Sequence, residues 1–176
     1  MSLLKEDIVF HGKVLDLAIE THRLPDGREA RFEVVHHPGG AAALPVDTDG
    51  RLLLIRQFRP AARGDILEIP AGRLEKGEDP AECITRELQE EIGRKPSQVE
   101  LLSEIYSTVG FCREKIFIFL ATGLSKTPTA LEDHEFIDLV PMTPEEAFGM
   151  VDAGAISDAK TLIALQAYRQ KLVADK

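Results

Sequence analysis

The sequence has few cysteines, no long apolar run and no excess of positive charge. Cys83 and Cys112 are its only cysteines, too few and too scattered for a disulfide framework or a zinc site. No apolar stretch approaches the roughly 18 residues that span a bilayer, and no signal-peptide hydrophobic segment follows Met1. We therefore expect no membrane association and a cytoplasmic location.

Acidic residues outnumber basic ones. The chain has 30 Asp and Glu against 21 Lys and Arg, which gives a net charge of −9. This balance argues against nucleic acid as a partner, because binding to a phosphate backbone relies on clustered positive charge. An acidic protein that binds phosphates needs local basic groups or metal ions to overcome its own field.

The order of strand-like and helix-like patterns predicts an α+β fold. At 176 residues the chain suits one domain, without internal repeats or linkers. Strand patterns fill the first third, with hairpin turns predicted at 25–27 and 47–50, and helix patterns follow at 79–92, 144–153 and 158–172. Because there is no regular βαβ alternation, we expect a mixed β-sheet with helices packed on its faces.

The predicted helix at 79–92 has three carboxylates at one edge. Asp79 suits the N-cap, Pro80 the first turn and Gly93 the left-handed C-terminal position. The apolar residues form one face that can dock on the sheet, and the carboxylates lie beside it. They are Glu87, Glu90 and Glu91. Like charges at this spacing destabilise a helix, so the edge requires a compensating cation.

A hard divalent ion such as Mg²⁺ prefers oxygen ligands and would meet this requirement. By composition alone, the segment is equally a solvated Glu-rich surface helix in which Arg86 and Glu90 form an ordinary ion pair. The preceding residues favour the metal site. Gly72 and Gly77 bracket a polar loop in which the backbone can approach a ligand closely.

The glycine and charged positions over residues 72–93 resemble the Nudix box. The pattern is Gly72, five residues, Glu78, seven residues, then Arg86-Glu87-Leu88-Gln89-Glu90-Glu91, one residue and Gly93. Arg94 departs from the family, which usually has an aliphatic residue there. The resemblance implies a Nudix fold, with a mixed sheet between helices, and an enzyme that hydrolyses a nucleoside diphosphate linked to another group.

The resemblance also implies the roles of individual residues. The metal, Mg²⁺ with Mn²⁺ as a substitute, would be held by Glu87, Glu90, Glu91 and the backbone carbonyl of Ala71. Glu90 would be a further metal ligand or would hold the attacking water, and Arg86 and Glu78 would be the supporting pair. Glu114 would contact a metal-bound water, and Glu68 would support the metal loop.

Outside the box, the chain resembles the ADP-ribose pyrophosphatases. The similar segments are Arg56-Gln57-Phe58-Arg59-Pro60, residues 67–72, Gly110-Phe111 with Glu114, and Asp158-Ala159-Lys160-Thr161. The resemblance implies that Arg59 contacts the substrate phosphates with help from Arg56, and that Gly110 and Phe111 also bind substrate. A guanidinium fork suits a pyrophosphate, although the two arginines alone could simply be exposed strand residues.

One loop departs from that subfamily. Val109 stands where the subfamily usually has a proline, so the loop lacks a fixed φ angle. We expect Mg²⁺-dependent hydrolysis of ADP-ribose to AMP and ribose 5-phosphate, with a nucleotide sugar of the GDP-mannose type as the alternative substrate. A third alternative is a module that binds ADP-ribose without cutting it, although such modules would be expected to lose the metal glutamates.

A second acidic cluster, Glu132-Asp133-His134-Glu135, is the expected source of the general base. In the resembling enzymes a loop at this point supplies the glutamate that activates water. Glu135 is our first candidate, followed by Glu132, and Asp133 stays open.

The N-terminal residues resemble the segment through which this subfamily forms intertwined dimers. We expect residues 1–40 to be a β-strand region that mediates a homodimer. Residues 41–176 would be the Nudix domain, and the two parts would form a single structural unit. His36 and His37 end a predicted strand, and we interpret them as a surface pair rather than a metal site.

Overall fold

Strands fill the first third of the chain and helices dominate its end, as the sequence predicts. The computed structural model describes residues 1–131 and 136–174. The strands of these residues are β1 (Ser2–His11), β2 (Asp16–Arg23), β3 (Glu29–His36), β4 (Gly40–Pro45), β5 (Leu52–Arg59), β6 (Gly64–Glu68), β7 (Ala71–Arg73), β8 (Arg94–Lys95), β9 (Gln98–Tyr106), β10 (Lys115–Thr122), β11 (Ser125–Lys126) and β12 (Ile137–Met142). The helices are α1 (Pro80–Ile92), α2 (Pro144–Asp152) and α3 (Ala159–Ala174).

The first of two compact units comprises Met1–Gly39 and Tyr106–Lys115. Its antiparallel sheet has the order β1-β2-β3. The predicted hairpin between β2 and β3 is confirmed, since the Leu24 N–H donates to the Arg28 carbonyl at 2.8 Å. The later segment joins this sheet through Val35, whose N–H donates to the Phe111 carbonyl at 2.7 Å.

The second unit comprises Gly40–Ile105 and Ile116–Lys176. One sheet has the order β7-β4-β10-β9, with β4 parallel to β10 and antiparallel to β7. Another has the order β12-β5-β6 and is antiparallel, and β8 pairs with β11. Together with the three helices, these mixed sheets confirm the predicted α+β fold class.

The predicted hairpin of β4 and β5 is wrong, although its turn exists. Asp47 N–H donates to the Arg51 carbonyl at 2.8 Å, and a single bridge pairs Val46 with Leu52. Beyond that bridge the two strands belong to different sheets. All of β4 and the first four residues of β5 are buried. A strand that is buried on both faces lies inside a sheet, with a partner strand at each edge. β4 therefore pairs with β7 and β10, and β5 pairs with β6 and β12.

Alternate residues of β4 and β5 enter two separate cores in this second unit. Ala41, Ala43, Leu53 and Ile55 pack in one cluster with the α1 residues Cys83, Ile84, Leu88 and Ile92. Ala42, Leu44, Leu52 and Leu54 pack in the other with Ala147 of α2 and Ala164 and Leu165 of α3. The strands therefore lie between α1 on one side and α2 and α3 on the other. No helix in the described ranges is long and apolar enough to cross a membrane.

Candidate active site

Helix α1 begins and ends where its capping residues predict. The Asp79 side chain accepts a hydrogen bond from the Ala81 N–H at 2.8 Å, and Pro80 occupies the first turn. Gly93 has a left-handed φ of 60°, and its N–H donates to the Gln89 carbonyl at 3.1 Å. These two caps fix the length of the helix and hence the positions of its carboxylates.

The Arg86 guanidinium contacts three carboxylates at the edge of α1. Its Nε donates to Glu78 Oε1 at 3.1 Å, and its Nη1 donates to Glu87 Oε1 at 2.7 Å and to Glu90 Oε2 at 3.0 Å. The side chains of Glu78 and Glu87 are only 15% and 13% exposed. One positive charge shared by three partly buried negative charges favours the approach of a further cation.

The contact between Arg86 and Glu78 also shifts the pKa values of both side chains. The hydrogen bond from Arg86 holds the pKa of Glu78 below its ordinary value, against the opposing effect of burial. The same hydrogen bond, in turn, raises the pKa of Arg86. Cys83 lies beside this pair, and burial raises the pKa of its thiol to about 12. Glu78 and Arg86 are therefore charged at neutral pH, and the Cys83 thiol is protonated and fills space in the core.

Gly72 allows the Glu87 carboxylate to lie against the backbone of β7. A β-carbon at position 72 would be 1.9 Å from both Cδ and Oε1 of Glu87. Any other residue at position 72 would have to displace that carboxylate. The sequence predicted that Gly72 lets the backbone approach a bound ligand closely. In the structure, Gly72 lets Glu87, a candidate metal ligand, lie close to the backbone.

Glu91 is the most buried of the three predicted metal glutamates. It is 6% exposed, and its Oε2 accepts a hydrogen bond from the Ala71 N–H at 3.2 Å. This contact joins α1 to β7 at Ala71, whose carbonyl is the predicted backbone ligand. The box helix and the strand before it therefore meet where the metal is expected.

The residues at this edge fit a divalent cation. The donors are carboxylate oxygens, which hard cations prefer. Their negative charges exceed the single positive charge of Arg86, and Gly72 leaves room for Glu87 against β7. Glu87, Glu90, Glu91 and the Ala71 carbonyl are the groups that would hold such an ion.

A buried network holds Arg59 at the end of β5. Its Nε donates to Glu68 Oε1 at 2.7 Å, and Glu68 is only 1% exposed. The other oxygen of Glu68 accepts a hydrogen bond from Lys160 at the start of α3. The sequence predicted Arg59 as a phosphate contact but gave Lys160 no role, because the two residues are about a hundred positions apart.

Arg56 and Arg59 lie on opposite faces of β5. Arg59 is on the face of Ile55, which packs in the core cluster of α1. Arg56 is on the other face, where it lines a cavity of about 320 Å³ with two exposed phenylalanines, Phe58 and Phe136. The two arginines, predicted to act together, are therefore separated by the strand. The proposed assistance of Arg56 stays a prediction.

Three further predicted site residues belong to the first unit. Phe111 is 57% exposed, and Gly110 precedes it in the segment that joins β3. Glu114 lies 3.3 Å from His37 Nδ1. The roles of Gly110, Phe111 and Glu114 stay predictions. The interpretation of His36 and His37 as a surface pair is wrong, because their side chains are only 21% and 15% exposed and lie against carboxylates.

The predicted general bases, Glu135, Glu132 and Asp133, lie outside the described residues. Their order of preference therefore stays as the sequence gives it. The nearest described residues, Leu131 and Phe136, both line the cavity that also contains Arg56.

The sequence did not predict an ion-pair network in the first unit. Over residues 1–131 and 136–174, one group of three side chains brings its ligand atoms within 4.8 Å of one another: Glu6, Glu20 and His36. Arg113 donates to Glu20 at 2.5 Å and to Glu6 at 3.4 Å, so this group already contains a cation. Despite burial, hydrogen bonds from His22 and His36 hold the pKa of Glu20 below its ordinary value. The sequence could have predicted this ion-pair network only if the strand register that pairs Glu6 with Glu20 across β1 and β2 had been known.

The chain is similar to known proteins over most of its length. The NUDIX domain model matches residues 36–165. An ADP-ribose pyrophosphatase of Bacillus subtilis (strain 168) is 39% identical over 167 residues, which are 94% of this chain and 90% of that protein. A GDP-mannose pyrophosphatase of Cronobacter sakazakii (strain ATCC BAA-894) is 34% identical over 154 residues, 80% of each chain.

A solved structure supports the fold independently. The crystal structure of an ADP compounds hydrolase superposes with a TM-score of 0.85 at 19% identity, covering 99% of this chain and 95% of that one. The chain belongs to the Nudix family, and it is an enzyme of the Nudix hydrolase class.

Proposed function

We propose that the protein hydrolyses the pyrophosphate bond of a nucleoside diphosphate derivative, with ADP-ribose as substrate and Mg²⁺ as cofactor. Water would attack one phosphorus and the bridging P–O bond would break, which gives AMP and ribose 5-phosphate. The main support is the carboxylate edge of α1, where Arg86 is shared by Glu78, Glu87 and Glu90. The B. subtilis relative is named an ADP-ribose pyrophosphatase.

In this proposal Glu87, Glu90, Glu91 and the Ala71 carbonyl hold the metal. When bound, Mg²⁺ acts as a Lewis acid that offsets the charge of the diphosphate. Arg86 holds Glu87 and Glu90 in place by charge-assisted hydrogen bonds of 2.7 and 3.0 Å. The Ala71 N–H orients Glu91. The chain thus supplies ligands that are ordered before the substrate arrives, which lowers the cost of assembling the site.

Arg59 would bind the diphosphate. It is the arginine of β5 on the α1 side of the strand, and its side chain is 39% exposed. The proton of the attacking water would go to a carboxylate between residues 132 and 135, with Glu135 first, Glu132 next and Asp133 as the third candidate.

A GDP-mannose type of nucleotide sugar is the alternative substrate. The C. sakazakii relative is named a GDP-mannose pyrophosphatase, and Val109 replaces the proline that the ADP-ribose subfamily usually has in its loop. A module that binds ADP-ribose without cutting it is disfavoured, because Glu87, Glu90 and Glu91 are all present in α1.

A substrate panel tests the proposal. ADP-ribose, GDP-mannose and other nucleoside diphosphate derivatives are incubated with the full-length protein and Mg²⁺ or Mn²⁺ at equal concentration, and the products are identified by chromatography. We expect the highest kcat/KM with ADP-ribose and equal amounts of AMP and ribose 5-phosphate. A preference for GDP-mannose would establish the alternative, and binding of ADP-ribose without cleavage would overturn the proposal.

We further propose that the protein is a homodimer assembled through residues 1–40, with the Nudix domain in residues 41–176. Support comes from large apolar side chains that the first unit exposes. They are Leu3, Leu4, Val9, Phe10, Phe32 and Phe111. Surface of this kind is typical of an interface, and a second copy of the chain would cover it.

Sedimentation equilibrium measures the oligomeric state. We expect twice the monomer mass, and a shift towards monomer when Val9→Asp and Phe10→Asp are combined. A monomer at micromolar concentration would contradict the dimer. The compartment we propose is the cytoplasm, where the free thiols of Cys83 and Cys112 would remain reduced.

A further inference from the structure

Arg59 uses only one edge of its guanidinium within the protein. Its Nε donates to Glu68 Oε1 at 2.7 Å. Across residues 1–131 and 136–174, its two terminal nitrogens, Nη1 and Nη2, make no hydrogen bond. A guanidinium and a carboxylate usually form two parallel hydrogen bonds when both groups are available. The one-point contact with Glu68 therefore needs a reason.

The reason lies on the other side of Glu68. Lys160 donates to Glu68 Oε2 and also to Asp158 Oδ1 at 2.9 Å. The side chains of Glu68 and Lys160 are only 2% and 12% exposed, so this contact is largely shielded from water. With one oxygen engaged by Lys160, Glu68 offers the other to Arg59. The terminal nitrogens of Arg59 stay available for a ligand.

The position of Lys160 is itself fixed by the start of α3. Asp158 Oδ2 accepts hydrogen bonds from the Thr161 N–H at 2.9 Å and from the Thr161 hydroxyl at 2.6 Å. The fully buried Thr161 hydroxyl oxygen accepts one from the Ile69 N–H at 2.8 Å. These bonds join the start of α3 to Ile69. Ile69 directly follows Glu68, which is the last residue of β6. Buried, mutually satisfied polar groups of this kind rigidify the elements that they connect.

We infer that Lys160 is a positioning residue that presents Arg59 to the substrate diphosphate by occupying one oxygen of Glu68. This inference rests on the proposed function, in which Arg59 binds the diphosphate. Without Lys160, Glu68 can turn both oxygens to Arg59 and draw Nη away from the ligand. Lys160 itself touches neither the substrate nor the metal in this account.

The first experiment follows Arg59 by NMR and needs no substrate. The Nε–H and Nη–H signals of Arg59 are assigned in the full-length protein with the help of Arg59→Lys. In the wild type we expect a hydrogen-bonded Nε–H with rapidly averaged Nη protons. In Lys160→Met, a two-point contact with Glu68 would slow that averaging, so separate Nη–H signals appear. Unchanged Arg59 signals in Lys160→Met would overturn the inference.

The second experiment is a double-mutant cycle with the substrate that the panel identifies. We expect Lys160→Met to raise KM by about tenfold, the cost of one charge-assisted hydrogen bond, with a smaller effect on kcat. In an Arg59→Ala background, Lys160→Met should have no further effect on KM. Equal effects in both backgrounds would mean that Lys160 acts through general structure and would overturn the inference.

Two further variants keep the result interpretable. Lys160→Arg retains a cation beside Glu68, so its KM should be close to that of the wild type. This variant keeps the test interpretable if Lys160→Met folds poorly. Lys171→Met removes a lysine of the same helix whose exposed ion pair with Glu100 lies elsewhere, and it should behave as the wild type. If the wild type cleaves no member of the panel, the proposed function fails and the substrate role of Lys160 fails with it. The NMR result still decides whether Lys160 orients Arg59.

Discussion

The carboxylate of Glu87 lies 1.9 Å from the point that a β-carbon at position 72 would occupy. Gly72 and Glu87 therefore form a matched pair, in which the absence of one side chain allows the other to lie against β7. Arg86 Nη1 also donates a hydrogen bond to Oε1 of the same carboxylate at 2.7 Å. Two constraints thus fix Glu87 where the metal is expected.

Gly72→Ala should reduce activity without unfolding the protein. The added methyl group must displace the Glu87 carboxylate, which is the flexible end of a side chain, so the backbone can stay in place. We expect a lower kcat and a higher Mg²⁺ concentration for half-maximal activity, with a small change in melting temperature. Steady-state kinetics at several Mg²⁺ concentrations and calorimetry measure both quantities.

Gly149→Ala is the matched control for that prediction. Gly149 is exposed in α2, and nothing lies within 4 Å of the β-carbon that alanine would add. The substitution should stabilise the protein by up to about 1 kcal/mol through helix propensity and leave activity unchanged. Wild-type Mg²⁺ dependence in Gly72→Ala would contradict the role that we assign to Glu87.

The elements that sequence could predict are those specified by local signals. The capping residues Asp79 and Gly93 gave both ends of α1, and the turn at 25–27 gave the first hairpin. Box spacing put Glu87, Glu90 and Arg86 at one edge, where the structure has them in contact. In each case the information lies within a few residues.

The features that sequence missed depend on contacts between distant residues. The turn after β4 resembled that of a hairpin. However, β4 and β5 are buried on both faces, and each pairs with strands of a different sheet. Lys160 meets Glu68 across 92 positions, which no periodicity reveals. The separation of Arg56 from Arg59 could have been predicted from the sequence, because residues three apart in a strand lie on opposite faces.

Removing Arg86 should destabilise the protein more at neutral than at acidic pH. Arg86 holds the pKa of Glu78 below its ordinary value. A depressed folded-state pKa contributes stability that is present above the unfolded pKa, about 4.3, and is lost as the pH falls through the folded value. The difference in free energy of unfolding between wild type and Arg86→Met should therefore be largest near pH 7 and shrink below about pH 4.

Urea unfolding at a series of pH values measures that difference. Arg51→Met is the control, because the Arg51 side chain forms an exposed ion pair with Asp49 at 3.4 Å and its loss should cause little destabilisation at any pH. A destabilisation by Arg86→Met that is equal at pH 7 and pH 3 would show that the ion-pair network does not account for it.

Among the carboxylates of the second acidic cluster, Glu135→Gln should have the largest effect on kcat. Loss of a general base lowers the rate by about 10²–10⁴-fold and removes the acidic limb of the pH–rate profile. Glu132→Gln and Asp133→Asn should lower kcat less, and Glu145→Gln in α2 is an exposed acidic control. If Glu132→Gln has the larger effect and loses the acidic limb, the base is Glu132 instead.

The kcat of Glu91→Gln with Mg²⁺ and the preferred substrate tests the metal site most directly. Glutamine keeps the size of the side chain and an oxygen that can accept from the Ala71 N–H, but it removes the charge of a buried ligand. We predict a loss of at least about a hundredfold in kcat, since several kcal/mol of charge stabilisation depend on the metal. The melting temperature should change little, and the exposed Glu82→Gln on the same helix should retain full activity. Near-normal turnover by Glu91→Gln would contradict the account.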